Sequence, residues 1–227
     1  AIIKNLSPGI YKVSVVKDGF WDWEKTMIVS PETVNVRNVL LVPKNIHGEM
    51  IGTSTPAASE QKPSYPSVKK YWQFGEDFLI LGEDKNFYIN TAKVIGEFPP
   101  ETLEILKNSI NAIFADGNRR LIFWEGRNID SLWIGNLSDA PQWQTAKEIS
   151  VFTAPSGSKI REVFAYPGWQ DYALISMQNG VFVLGLDSLG GQNIFPLYKG
   201  KAPEIIFAEP GKLIVKDDGN YIELETP

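Results

Sequence analysis

The sequence predicts an all-β protein made of repeated four-stranded antiparallel sheets, and a recurring tripeptide is the main reason. It appears as Ile113-Phe114-Ala115, Val163-Phe164-Ala165 and Ile206-Phe207-Ala208, with starts that lie 50 and 43 residues apart. A glycine follows each copy within three residues and supplies a turn. Aromatic residues make up 12% of the chain, which also favours strands.

Each repeat carries the pattern of a β-hairpin: an apolar segment, a turn rich in Asp, Asn and Gly, and a second apolar segment. A weaker fourth copy begins near Tyr71, so four units are predicted in the second part of the chain. The predicted units lie near residues 68–104, 105–157, 158–201 and 202–227. Their hairpin turns fall at 82–86, 125–128, 178–180 and 217–220.

A period of about 40–50 residues with this strand pattern is typical of β-propeller blades. No four-stranded unit can bury both of its faces alone, whereas neighbouring blades around an axis cover one another. The chain supplies only about three and a half units, because the fourth ends before its outer strand. We therefore expect either further blades outside this sequence or a closing strand from the N-terminal part.

One segment between the first two units has a different period. It follows Pro99-Pro100 and carries Leu103, Leu106 and Ile110 at helical spacing. A short helix is one interpretation of this segment, and a loop is the other.

Residues 1–43 have the alternation of short strands. Tyr11, Val13 and Val15 fall on one face, and Lys17-Asp18-Gly19 forms a turn before the next apolar segments. This pattern predicts a small antiparallel sandwich.

The same region resembles the C-terminal half of a PEGA domain. The resemblance rests on Leu6–Val15, which reads LSPGIYKVSV, and on Asp18–Trp23, which reads DGFWDW. Val29, Val36 and the Leu40–Pro43 segment match the closing strands of that family. PEGA domains are small β-sandwiches in exported or envelope proteins of bacteria and archaea. The resemblance therefore implies a partial β-sandwich and an extracytoplasmic location, in the cell envelope or at the cell surface.

Residues 44–67 are rich in Ser, Thr and Pro without periodicity, which predicts an extended linker between the two parts. An ordered loop held against the next domain is the alternative. The chain begins at Ala1, inside a predicted strand, so we interpret it as a fragment, which leaves room for an export signal or a membrane anchor upstream. No apolar run in the sequence approaches the ~18–20 residues of a membrane span.

The composition disfavours several classes of function. The net charge is −5 and the basic residues are scattered, so we expect no nucleic-acid partner. The chain has no cysteine, which excludes disulfides, thiolate metal sites and a cysteine nucleophile. Its one histidine, His47, lies beside Gly48 in the predicted linker and cannot form a His-based metal site or a Ser-His-Asp triad alone.

The remaining polar motifs are better explained by turns than by chemistry. The aspartates fall at predicted turns, where their side chains accept backbone N–H groups. Asp217-Asp218-Gly219-Asn220 lacks the rest of a calcium loop, and Gly190-Gly191 lacks the lysine of a phosphate-binding loop. We therefore predict no catalytic residue, no cofactor and no metal.

Four of the seven tryptophans fall in predicted turns or loops: Trp21, Trp23, Trp143 and Trp169. Loop tryptophans are common contact points for partners, so these four are the predicted partner-binding residues. Trp124 and Trp133 lie in strand patterns and are predicted to be core. The favoured function is a non-enzymatic binding or scaffold module that contacts a protein or envelope component through propeller loops. The alternative is a carbohydrate-binding or carbohydrate-cleaving propeller that uses loop Trp and Asp residues.

Overall fold

The strands of the computed structural model assemble into four antiparallel sheets of four strands each and one two-stranded hairpin. The four sheets are arranged like the blades of a four-bladed β-propeller, which confirms the predicted all-β fold class. The structure describes these residues: 3, 5–31, 38–52, 68–74, 77–89, 92–93, 100–108, 111–117, 119–134 and 136–227.

The strands and the helix follow in chain order. The N-terminal part contributes β1 (Gly9–Val15), β2 (Trp23–Val29) and β3 (Gly48–Gly52). The next elements are β4 (Val68–Phe74), β5 (Asp77–Gly82), β6 (Phe87–Ile89), β7 (Ala92–Lys93), helix α1 (Pro100–Asn108), β8 (Asn111–Ala115), β9 (Arg120–Glu125), β10 (Asn128–Trp133) and β11 (Glu148–Thr153). The last are β12 (Ile160–Ala165), β13 (Tyr172–Met177), β14 (Gly180–Gly185), β15 (Ile194–Lys199), β16 (Glu204–Glu209), β17 (Lys212–Asp217) and β18 (Asn220–Glu225).

Three blades are continuous in sequence, and the fourth is not. Blade 1 comprises β4–β7, blade 2 β8–β11 and blade 3 β12–β15, whereas blade 4 has the order β16-β17-β18-β3. The first strands of the blades are neighbours, since β8 contacts both β4 and β12, and β12 contacts β16. The repeated tripeptides lie in β8, β12 and β16, so the sequence repeat marks the strand that each blade presents to its neighbours.

Strand β3 completes blade 4 from the other end of the sequence. It pairs antiparallel with β18, with Met50 opposite Ile222 and Glu49 opposite Glu223. A closing strand from the N-terminal part is one of the two outcomes expected from the sequence. This strand lies inside 44–67, which the composition predicts to be a linker; residues 53–67 fall outside the described residues.

The core consists of apolar layers between neighbouring blades. The layer between blades 1 and 2 includes Leu79, Leu81 and Leu121, and the layer between blades 2 and 3 includes Ile122 and Ile175. Trp124 and Trp133 are buried, which confirms their predicted core positions. Each such side chain contributes about 1.5–3 kcal/mol when it leaves water, so the layers hold the blades together.

Helix α1 confirms the helical interpretation of the segment after Pro99-Pro100. Pro100 occupies its first position, where a proline costs no hydrogen bond. Leu106 is fully buried in the apolar layer between blades 1 and 2, and Leu103 packs beside it. Ile110 lies outside the described residues. In the part of the chain that the structure describes, no helix is both long and apolar enough to cross a membrane.

The N-terminal hairpin pairs β1 with β2 along its whole length, from Gly9 opposite Val29 to Val15 opposite Trp23. Its inner face packs Val13, Val15 and Trp23 against blades 3 and 4, together with Leu40 from the segment that follows. Within the region predicted to be a small sandwich, the structure describes this two-stranded hairpin and the segment 38–43. Val36, which was expected in a further strand, lies outside the described residues.

Closure by β3 can be tested with a disulfide because the chain has no cysteine of its own. We expect the pair Glu49→Cys and Glu223→Cys to form a disulfide in air, since these residues face each other across the two strands. Directly opposed Cα atoms lie within the ~4.4–6.8 Å that a disulfide spans. The measurement is peptide mapping by mass spectrometry without reducing agent.

The matched control is the pair Glu49→Cys and Glu225→Cys, shifted by two residues along β18. Diagonal neighbours are about 7–8 Å apart, beyond easy disulfide reach. Equal oxidation of the two pairs, or oxidation of neither, would contradict the closure.

Candidate functional site

The N-terminal hairpin is held against one end of the propeller. In an antiparallel blade, the loops after the first and third strands meet at the same end. The hairpin contacts blade 3 at this end, near residues 166–171 and 185–193. Together with residues 140–143 of blade 2, we call these segments the docking face. The Thr26 amide of β2 donates a hydrogen bond of 2.8 Å to the Gly190 carbonyl oxygen.

Lys25 links the hairpin to the docking face through a buried ammonium. Its side chain is only 4% exposed, and its ammonium donates to the carbonyl oxygens of Asp187 and Gly191. The Asp187 carboxylate lies 3.9 Å away and also accepts the Leu189 amide. A buried ammonium needs such acceptors because it has lost its water. The sequence signal was present: Lys25 occupies an inward position of β2, between Trp23 and Met27.

Two further side chains of blade 3 join the N-terminal segment to the propeller. The Asn193 amide group donates to the Glu24 carbonyl oxygen and accepts from the Glu24 backbone N–H. The Tyr172 hydroxyl donates to the Asn38 carbonyl oxygen and accepts the Leu40 amide. Burial raises the pKa of the Tyr172 hydroxyl, so this group stays a neutral donor.

A buried arginine joins blades 2 and 3 at the docking face. The Arg120 side chain is fully buried between two indole rings, 4.4 Å from the Trp143 centroid and 5.5 Å from that of Trp133. Its guanidinium contacts the Asp116 carboxylate at 3.2 Å and donates to the Gln170 carbonyl oxygen at 3.0 Å. Burial lowers the pKa of Arg120, and the carboxylate of Asp116 opposes that shift.

Between the hairpin and the docking face lies a pocket of about 290 Å³. It has walls from three parts of the chain: the N-terminal segment, the loop at 140–143 of blade 2, and blade 3. The lining residues are Trp23, Lys25, Asn38, Ala140, Pro141, Gln142, Trp143, Asp171, Tyr172, Gly185, Asp187 and Asn193. Asn38 and Gln142 are exposed, whereas the aromatic residues form the deeper wall.

Asp171 is the half-buried carboxylate in this pocket. One of its oxygens accepts the Trp143 indole N–H at 2.9 Å, and the other accepts the Asn38 amide at 3.1 Å. Both donors are neutral. Each carboxylate oxygen can accept more than one hydrogen bond, so Asp171 keeps capacity for a further donor.

The four tryptophans predicted to contact partners have different environments. Trp23 is the first residue of β2, so its predicted place in a turn or loop is wrong. Trp23 and Trp143 are buried, at 3% and 4% exposed. Both pack into the apolar layers and line the pocket. Trp21 and Trp169 are half-buried; Lys44 lies 5.8 Å from the Trp21 ring, and Trp169 meets Tyr172 edge-on at 6.0 Å. A partner-binding role for the four residues stays a prediction.

Sequence reasoning missed Lys25, Asp171 and Asn193 as members of one site. They are distant in the chain and meet only because the hairpin docks on blade 3. Elsewhere, Asp84 acts as a turn acceptor for the Asn86 amide, whereas Asp217 accepts the Lys201 amide from the connection between β15 and β16. Among the described residues, no group of three or more His, Asp or Glu side chains is arranged to hold a metal ion.

Comparison of the chain with protein-family models, curated proteins and solved structures gives no significant match. The resemblance to a PEGA domain therefore stays a prediction.

The buried pair of Arg120 and Asp116 generates a prediction about stability. Asp116→Asn keeps the side-chain shape and suits the positive φ of 58° at this position, but leaves the guanidinium without its carboxylate. We expect the free energy of unfolding to fall by about 3 kcal/mol, as measured by urea denaturation.

Asp218→Asn is the matched control for that variant. Asp218 also has a positive φ, 49°, and precedes a glycine, but it is exposed. We expect a change within about 0.5 kcal/mol. Similar losses in both variants would show that the ion pair does not stabilise this end of the propeller.

The contact between Gly190 and β2 generates a second prediction. A Cβ at Gly190 would overlap the Thr26 carbonyl oxygen, so Gly190→Ala should push the hairpin away from blade 3. We expect faster hydrogen exchange at the Thr26 amide, which donates to Gly190 in the wild-type protein. Exchange is measured by mass spectrometry or NMR.

Gly191→Ala provides the control because Gly191 also has positive φ, but a Cβ there meets no atom within 4 Å. In Gly191→Ala, the rate of hydrogen exchange at the Thr26 amide should stay close to that of the wild-type protein. If both variants exchange alike, backbone strain in the loop, rather than the contact with β2, controls the hairpin.

Proposed function

We propose that the chain is a non-enzymatic binding or scaffold module of the cell envelope, and that its partner contacts the docking face at the pocket. The observation that supports this most directly is the construction of the pocket. The N-terminal segment, blade 2 and blade 3 each supply part of its wall, so an occupant would touch all three. Clefts between structural units are common binding sites.

The state of the two carboxylates in the pocket argues against catalysis. Asp187 faces the buried ammonium of Lys25, and Asp171 is held by Trp143 and Asn38. General acid–base chemistry on a glycoside needs two carboxyl groups that both face the substrate. Here the Asp187 carboxylate is committed to holding the hairpin in place.

The location in the cell envelope, or at the cell surface, is part of the same proposal. It is supported by the resemblance of residues 6–23 to the C-terminal half of a PEGA domain, a family of exported and envelope proteins. The partner that we propose is accordingly a protein or another envelope component.

Two of the four tryptophans that suggested the alternative, a carbohydrate-binding or carbohydrate-cleaving propeller, do not support it. A sugar platform needs an exposed aromatic face, and the rings of Trp23 and Trp143 are buried. Trp21 and Trp169 are half-buried and remain the candidates for such a contact.

Site-specific photo-crosslinking tests the proposed contact surface. A benzophenone amino acid replaces Gln142, an exposed residue at the pocket, and the protein is irradiated in its source organism. We expect a discrete covalent adduct on a denaturing gel, because a partner bound at the pocket lies within reach of this side chain.

The control position is Asn179, which is also exposed but lies in the turn after the second strand of blade 3, at the opposite end of the blade. It should give no adduct, or a different one. The same adduct from both positions, or none from Gln142, would count against the docking face as the contact surface.

A further inference from the structure

We propose that the pocket at the docking face binds a primary alkylammonium group, with Asp171 as its counterion. The group could belong to a free amine or to a lysine side chain of a partner, since the two share the same chemistry. This inference rests on the proposed function, because it takes the pocket as the contact site and adds what the pocket recognises.

Among the described residues around the pocket, the buried cations make their direct contacts with carboxylates other than Asp171. The ammonium of Lys25 is placed at Asp187, and the guanidinium of Arg120 is bonded to Asp116. Asp171 itself is held by an indole N–H and an amide N–H, both of which are neutral. A half-buried carboxylate whose hydrogen-bond donors are neutral is stabilised electrostatically when a cation binds beside it.

Arg120 does exert some attraction on Asp171, since this carboxylate helps to oppose the lowering of the arginine pKa. The guanidinium, however, is fully buried behind the Trp143 ring and its direct hydrogen bonds go to Asp116 and Gln170. It therefore offsets Asp116 first. The described lining residues then carry two carboxylates, Asp171 and Asp187, against one ammonium, that of Lys25.

The hydrogen-bonding groups of the wall also favour a ligand that donates. The Trp143 indole N–H is used by Asp171, and the Tyr172 hydroxyl proton is used by the Asn38 carbonyl oxygen. The Asn193 amide N–H is used by the Glu24 carbonyl oxygen. Asp171 keeps acceptor capacity and carries the negative charge, while the second amide N–H of Asn38 and of Asn193 remains as a neutral donor. An ammonium brings three donors and no acceptor, which matches that wall.

The deeper wall suits an alkyl stem. Trp23, Trp143 and Tyr172 are almost fully buried, but part of each side chain lines the pocket and offers apolar surface to methylene groups. The volume of about 290 Å³ is at the lower end of ligand pockets, which commonly run from about 300 to 1,000 Å³. It fits one amine-bearing chain better than a larger molecule.

The experiment is a titration of the wild-type protein with n-butylammonium chloride, followed by calorimetry and by the NMR signal of the Trp143 indole N–H. That proton lies on Asp171, so a cation bound there should shift its resonance. n-Butanol is the neutral control at the same concentrations, and glucose is the neutral sugar control. We expect the ammonium to bind at least about tenfold more tightly than either control, a difference of about 1.4 kcal/mol.

Two variants separate the carboxylate from general effects of charge. Asp171→Asn keeps an oxygen for the Trp143 indole N–H but removes the charge, and should weaken ammonium binding at least about tenfold. Asp139→Asn changes an exposed carboxylate outside the pocket lining and should bind like the wild type. Circular dichroism verifies that both variants are folded. If Asp171→Asn does not fold, the proposal is judged on the wild-type protein, from the shift of the Trp143 indole N–H signal and from the comparison with n-butanol.

Two peptide-like ligands distinguish the sources of the ammonium. Tighter binding of Nα-acetyl-lysine methylamide than of n-butylammonium indicates a lysine side chain of a partner, and the reverse indicates a free amine. The same compound acetylated on its Nζ should not bind.

The proposal is overturned if no amine binds, if butanol or glucose binds as well as the ammonium, or if Asp171→Asn has no effect. In those cases an adduct from the Gln142 photo-crosslinker would still support the docking face as a contact surface. The failure of the ligand assignment is thus distinguishable from the failure of the proposed function.

Discussion

The stacking of apolar blade faces is the interaction on which the rest of this structure depends. A four-stranded sheet whose two faces are both apolar cannot exist alone in water, and blades 2 and 3 are of that kind. Leu79 and Leu121 on one layer, and Ile122 and Ile175 on the next, are fully buried because a neighbouring blade covers them. The short strands and tight turns allow one such stacked sheet to follow another at regular spacing in the sequence.

The same constraint explains the course of the N-terminal part. With only three strands from its own repeat, blade 4 would present the edge of β18 to solvent. Strand β3 covers that edge, and so ties residues 48–52 to the end of the sequence. The hairpin of β1 and β2 just upstream is thereby kept close to the propeller. A two-stranded hairpin is marginally stable by itself, and here it gains stability by packing Val13, Val15 and Trp23 against blades 3 and 4.

Polar contacts then define where the hairpin lies. Buried charges are costly unless they are paired, so they favour one arrangement over its neighbours. Lys25 fits only where the carbonyl oxygens of Asp187 and Gly191 converge, and Arg120 only where Asp116 and the two indole rings enclose it. Asp171 differs from these residues because its hydrogen-bond donors are neutral. The docked hairpin closes one side of the pocket, and Asp171 is the carboxylate of the described lining that our ligand proposal uses.

The sequence by itself determined the class of the fold. The tripeptide repeat, the hairpin turns and the short helix after Pro99-Pro100 are local patterns of periodicity and turn chemistry, and such patterns are encoded within a few residues. Only the tertiary structure decided how blade 4 is closed and which residues form the site. Strand β3 carries no repeat signal, and Lys25, Asp171 and Asn193 are separated by up to 168 residues in the chain. Their meeting depends on how the hairpin packs on blade 3, a long-range event that leaves no mark in local spacing. The burial of Trp143 was missed for the same reason: a loop tryptophan looks exposed until Arg120 and blade 3 are seen to cover it.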